Sequence, residues 1–276
     1  LLISGAALSG NTSNIQHFSE PALGGVLIVL IMVPGMLVGF DVIPQSAEEI
    51  NLAPKKIGIL LIVSVICAVT WYVAISGAVG LAIPYREVGD SNMATADAAS
   101  NLWNGKWAGT LLVIGGIGGI LTSWNAFIVG ASRVIFALSE SGHLPPVFSR
   151  IHTKYQTPYV AILAIGLLSC IAPLFGRTIL VWLINTGSFA VTVAFLFVAI
   201  SFLVLRRKEP DMERPFKVSH PNLVGYGAII LSLGLLSAFF PWSPSALAWP
   251  EEWSTLIIWG LLGFLILLFR RNHTGH

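Results

Sequence analysis

The segment Pro34-Gly35-Met36-Leu37-Val38-Gly39-Phe40-Asp41-Val42-Ile43-Pro44 interrupts an apolar run that extends from about residue 21 to residue 47. A helix crosses a bilayer with roughly 20 apolar residues, so the run is long enough to span. Pro34 has no N–H to give the carbonyl four residues earlier. Gly35 and Gly39 accept backbone angles that other residues resist, and Pro44 suits a first helical turn, where N–H groups have no partner anyway. One helix is therefore expected to end near residues 35–38 and a second to begin near residues 40–41. The first half-helix would present carbonyls suited to an ammonium or metal cation, the second a positive N-terminal end. A membrane helix broken beside an acidic group is one way to build a polar site inside lipid, and it points to passage of a polar solute or ion. Two plainer readings stand beside it. The break could be a proline kink whose freed groups are satisfied by neighbouring helices. Asp41 could be the N-cap of the second half-helix, a role compatible with a functional one.

The rest of the chain supports a membrane setting. Hydrophobic residues make up 55% of the sequence and charged ones 10%, with a mean hydropathy of +0.81. A soluble domain would carry about 25% charged residues. The expected fold class is therefore an all-α polytopic membrane protein. Cys67 and Cys170 both fall inside apolar spans and are expected to be small packing residues. Residue 1 is Leu and residues 1–8 read as the last turns of an earlier helix, so the chain is expected to be the C-terminal part of a longer protein.

Seven segments qualify as spans: about 21–47, 57–83, 107–137, 158–175, 178–205, 222–240 and 253–269. Of the 15 Lys and Arg residues, all but Arg86, Lys106 and Arg177 fall on one side of this arrangement. Cytoplasmic loops carry the excess of basic residues, which puts the C-terminus in the cytoplasm and residues 1–20 outside. The outer segment around Met93–Trp103 is expected to form a short amphipathic helix. Gly115-Gly116-Ile117-Gly118-Gly119 follows no strand, so close helix packing through small residues is expected there, not a nucleotide loop.

Three ordered motifs then resemble one family. Gly39-Phe40-Asp41 with Ala47-Glu48-Glu49-Ile50-Asn51 and Pro54 is similar to the sixth helix of amino acid permeases, members of the amino acid–polyamine–organocation superfamily. Ala131-Ser132-Arg133-Val134-Ile135-Phe136-Ala137-Leu138, followed by Ser141-Gly142-His143-Leu144-Pro145, resembles the end of the eighth helix. Leu205-Arg206-Arg207 with Glu213-Arg214-Pro215-Phe216 resembles the loop between helices ten and eleven. The resemblance implies helices six to twelve of a twelve-helix transporter with two inverted five-helix repeats, a LeuT-like fold. On that reading residues 1–20 are a remnant of the preceding helix and an outer loop. Residues 21–205 are the second repeat, with its first helix broken near 35–41. Residues 206–276 are a cytoplasmic loop, two peripheral helices and a tail.

The resemblance also implies roles. Gly35, Met36, Val38, Gly39 and Phe40 would line the substrate site. Relatives often place a bulky aromatic gate where this chain has Gly35, which puts that lid in doubt here and would leave room for a larger side chain. Asp41, Asn185 and Ser188 would serve gating or proton coupling, with interhelical hydrogen bonding as the alternative for the Asn185-Thr186-Gly187-Ser188 stretch. Thr122 and Ser123 would help bind a coupling sodium ion, unless their hydroxyls bond back to their own helix.

The implied partners are an amino acid or organic amine, a proton or sodium ion, the lipid bilayer, and the missing N-terminal half of the same protein. The sequence has no HExxH, Cys/His cluster, Ser-His-Asp signature or basic nucleic-acid patch, so no enzyme chemistry, cofactor, metal or nucleic-acid partner is expected. The leading expectation is a secondary active amino acid transporter working by alternating access. An amine or polyamine permease or exchanger is the close alternative, and a membrane enzyme, channel or scaffold the more distant ones.

Overall fold

The computed structural model describes residues 1–14, 23–45 and 51–273. Among the described residues every regular element is helical. In chain order the α-helices are α1 (Leu2–Ser9), α2 (Leu23–Leu37), α3 (Val42–Gln45), α4 (Pro54–Ala82), α5 (Tyr85–Asp90), α6 (Ala94–Leu102), α7 (Lys106–Glu140), α8 (Tyr159–Ile171), α9 (Arg177–Lys208), α10 (Pro221–Ser237) and α11 (Glu251–His273), with short 3-10 turns at Thr12–Asn14, Pro146–Ser149 and Ala172–Phe175. Among the described residues four helical stretches are long and apolar enough to cross a membrane: Gly25–Pro44, Pro54–Ala82, Lys106–Glu140 and Thr178–Lys208. Tyr159–Phe175 and Pro221–Ser237 are shorter apolar helices, and the seventh expected span falls within α11. Residues 47–50 of the first motif lie outside the described residues.

The helices leave large apolar side chains on their outer faces, Val73 at 67% exposure and Leu168 at 68% among them. Water would penalise such surfaces, whereas lipid tails are as apolar as the side chains themselves. The chain is a multi-pass membrane protein. Cys67 and Cys170 are free and exposed, not packed as their apolar surroundings led one to expect. The glycines of the 115–119 run likewise meet no neighbour within 4 Å of an added Cβ. Apolar character alone does not say which face of a membrane helix meets protein.

The chain divides into two compact units. The first comprises Leu1–Ala22 and Leu60–Ala126. Its core is small-residue packing: Ala98 and Ala99 of α6 are fully buried with Leu2, Ala6, Ala78, Leu102 and Ala108. Trp103 pins the start of the chain by donating its Nε1–H to the Leu1 carbonyl at 3.0 Å. The short helix expected around residues 93–103 is α6.

The second unit comprises Leu23–Ile59 and Phe127–His276. Here α9 is the central helix, packed by α2, α10 and α11. Gly225 of α10 lets the helices approach closely: an added Cβ would overlap the side chain of Leu203.

Two of the three sequence motifs prove to be structural. Gly142, with φ at +72°, ends α7; the His143 N–H reaches the Leu138 carbonyl at 2.7 Å and the Gly142 N–H reaches Ser139. That paired closure is a Schellman cap, which needs a left-handed residue at this position. In the third motif the guanidinium of Arg214 donates to the carbonyls of Glu209, Pro210 and Met212, closing the loop after α9. Phe216 then packs over Gly58, where an added Cβ would lie 2.7 Å from the ring.

Candidate functional site

The first motif is different, because it breaks a helix in mid-span. Pro34 sits inside α2 and is buried, so the Leu30 carbonyl has no amide to accept from at that position. The helix nevertheless continues to Leu37 and opens only at the turn 38–41. Gly39 adopts φ +126°, a conformation strained for any side chain. Its N–H, which a continuing helix would give to the Gly35 carbonyl, goes instead to Asp41 Oδ1 at 2.8 Å. Bonds from the Val42 and Ile43 amides to the Gly39 and Phe40 carbonyls three residues back, at 3.3 and 3.2 Å, then restart the chain as α3. α2 thus ends at Leu37 and α3 begins at Val42. In this bond the Asp41 carboxylate reaches back across the break to Gly39, whereas an N-cap would accept from the amides of the helix that follows, and it takes the amide that a continuing helix would give the Gly35 carbonyl.

Gly35 faces α9. An added Cβ would overlap Ser188 Oγ, so the space opened by the missing side chain is already taken. The expectation that Gly35 leaves room for a larger substrate is corrected by this contact. Ser188 is 1% exposed. Its carbonyl accepts the Thr192 hydroxyl at 2.7 Å, but its own hydroxyl has no hydrogen-bond partner. A buried hydroxyl without a partner is costly, about 1–3 kcal/mol, and is rare enough to need a reason.

The remaining residues of the break frame this pair. Phe40 packs on Phe195 of α9, with ring centroids 5.8 Å apart. Phe127 of α7 lies 4.0 Å from where a Gly39 Cβ would be. Val38 is half-buried and Met36 is exposed. Ser188, Thr192 and Phe195 fall three or four residues apart on α9, one face of a helix. That spacing is present in the sequence, but neither Thr192 nor Phe195 is unusual in an apolar span and nothing local marks them.

Asn185 is held elsewhere. Its Nδ2 donates to Glu252 Oε1 at 2.7 Å, the interhelical alternative. Thr186 bonds back to the Trp182 carbonyl at 2.8 Å. Thr122 and Ser123 belong to the first unit and are exposed; the Thr122 hydroxyl bonds back to the Gly119 carbonyl at 2.8 Å. Among the described residues no group of three or more His, Cys, Asp or Glu side chains could hold a metal ion. Glu252 went unrecognised in the sequence, where an acidic pair at the head of an apolar helix reads as interfacial.

Sequence comparison places this geometry in a family. A profile described as amino acid permease matches residues 3–267. The chain is 28% identical over 279 residues to the branched-chain amino acid permease BcaP of Bacillus subtilis, covering 99% of this chain and 57% of the relative. It is 27% identical to the methylthioribose transporter of the same organism, covering 95% and 54%. It is 29% identical to the vacuolar cationic amino acid transporter 8 of Arabidopsis thaliana, covering 93% and 42%. The chain thus spans about half the length of the curated relatives it matches. With its broken helix and a match along almost its whole length, the chain belongs to the amino acid permease family.

Proposed function

We propose that the full-length protein containing this chain is a secondary active transporter for amino acids, working by alternating access with its C-terminus in the cytoplasm. One observation supports the site assignment: Gly35, whose carbonyl loses its helical amide to Asp41, packs directly against Ser188, whose buried hydroxyl has no hydrogen-bond partner. The carbonyl is at the C-terminal end of α2, where the helix dipole favours positive charge. A substrate ammonium there would accept nothing and donate up to three hydrogen bonds. It would satisfy the carbonyl and give Ser188 a partner. Met36, Val38, Gly39 and Phe40 are the proposed lining for the rest of the molecule. The substrate carboxylate is assigned to the part of the protein outside this chain.

Amino acids are favoured by the names of two of the relatives, a branched-chain permease and a cationic amino acid transporter. The second reading is an organic amine or polyamine substrate, since the half-site in this chain addresses only the ammonium. Asp41 is the proposed proton-coupling group, and Thr122 with Ser123 the proposed sodium ligands. The test is counterflow in proteoliposomes made with the full-length protein, offering neutral amino acids, cationic amino acids and polyamines in turn. Saturable counterflow of an amino acid is expected. A conductance without saturation would make the protein a channel. Replacing sodium by choline, and separately collapsing the proton gradient, identifies the coupling ion. The 276-residue chain alone is expected to give no uptake.

A further inference from the structure

Glu252 is 3% exposed, a buried carboxylate at the head of α11. Both of its oxygens are engaged. Oε1 accepts from Asn185 Nδ2 of α9 at 2.7 Å, and Oε2 accepts from the Ala248 N–H of the α10–α11 connection at 2.7 Å. Around this bond the connection forms an aromatic and aliphatic grip. Phe189, one turn beyond Asn185, meets Phe239, Phe240 and Trp253 edge-on or tilted, with centroids 5.5 to 6.5 Å apart. Phe239 and Leu247 are buried against Ile31, and Met32 packs on the same cluster. Ile31 and Met32 lie on α2 within a turn of Gly35. The connection therefore touches both helices of the candidate site, α9 through Asn185 and Phe189 and α2 through Ile31 and Met32.

We propose that Glu252 is a positioning residue for transport. By fastening α11 and its preceding connection across α9 and α2, it sets how closely Ser188 is pressed against Gly35. The consequence for binding follows from length and angle alone. Ser188 and the Gly35 carbonyl can share one ammonium only at close approach, because hydrogen bonds weaken steeply away from about 2.7–3.2 Å. A looser α9 would leave the hydroxyl out of reach. Apolar packing alone permits such slippage, being non-directional; the two hydrogen bonds to one buried carboxylate do not.

The test uses the full-length protein on a cysteine-free background: KM is measured with Ser188 intact, and Ser188→Cys is added only for the separate thiol-labelling arm. Glu252→Gln retains one acceptor oxygen but turns an N–H₂ toward one of the two donors. It is expected to raise KM for the substrate at least fivefold with little change in the maximal rate, and to speed labelling at position 188 at least tenfold. Asn185→Asp combined with Glu252→Gln reverses donor and acceptor across the helices and restores both bonds; KM and labelling should return to within twofold of the parent. Asn185→Ala, which leaves the Ala248 bond intact, should also speed labelling and serves if Glu252→Gln does not fold. Parental KM and labelling in the single variants, or a double variant as impaired as Glu252→Gln, would overturn the proposal. The KM arm rests on the transport reading and the labelling arm does not. Absent uptake by the parent protein with intact labelling effects would therefore sink only the former.

Discussion

Ser188 occupies the space that a side chain at position 35 would need, and its hydroxyl, buried on α9, has no hydrogen-bond partner there. A close approach between helices and an unsatisfied polar group are thus the same feature. Small residues commonly bring membrane helices together. Here the residue brought close carries a hydroxyl with hydrogen-bonding capacity unused.

Gly35→Ala should push α9 away from the break. Overpacking a tight contact costs typically 1–3 kcal/mol, and backbone shifts at a binding site cost affinity as well. Uptake by Gly35→Ala is expected to fall at least tenfold. Adding Ser188→Gly should recover folded yield, measured by size-exclusion profile and thermal midpoint, without recovering uptake. Full activity in Gly35→Ala would show that the contact is slack.

Asp41 has a structural duty that can be separated from any charge-dependent one. Asn at position 41 keeps an oxygen for the Gly39 amide; Ala does not. Loss of a side-chain acceptor at a helix break, as at a cap, costs about 0.5–2 kcal/mol. Asp41→Ala should therefore lower the thermal midpoint and Asp41→Asn should leave it nearly unchanged, while both lose proton-dependent uptake. Parental transport in Asp41→Asn would leave only the structural role.

Gly225→Val offers a control away from the site. The added side chain would overlap Leu203, where α10 meets α9. The thermal midpoint should drop by the equivalent of about 1–3 kcal/mol, and the folded fraction should retain the parental KM. A changed KM would mean that α10 also sets the position of α9 at Ser188.

Much of the broken helix was readable from residue types, since Pro34, Gly39 and Asp41 each disfavour a continuous helix for a local reason. The close approach at Gly35 was not. Absence of a side chain looks the same in sequence whether the space is empty or filled by a partner distant along the chain. Asn185 showed its two possible fates in sequence, and the hydrogen bond to Glu252 selects one of them. Glu252 itself gave no signal, because its burial depends on how the α10–α11 connection folds back over α9. Thr122 bonds back to its helix, as membrane threonines often do, and its proposed sodium role rests on the family resemblance.

The most direct test of the central claim is equilibrium binding of a labelled amino acid to the purified full-length protein, parent against Ser188→Ala, with the thermal midpoint of each measured without substrate. Removing an unpartnered buried hydroxyl should leave the empty protein as stable or more so. If that hydroxyl accepts from the substrate ammonium, affinity should fall about tenfold or more, since a hydrogen bond to a charged group contributes roughly 1.5–3 kcal/mol. An unchanged Kd in Ser188→Ala would contradict the assignment of the substrate ammonium to the Gly35–Ser188 pair.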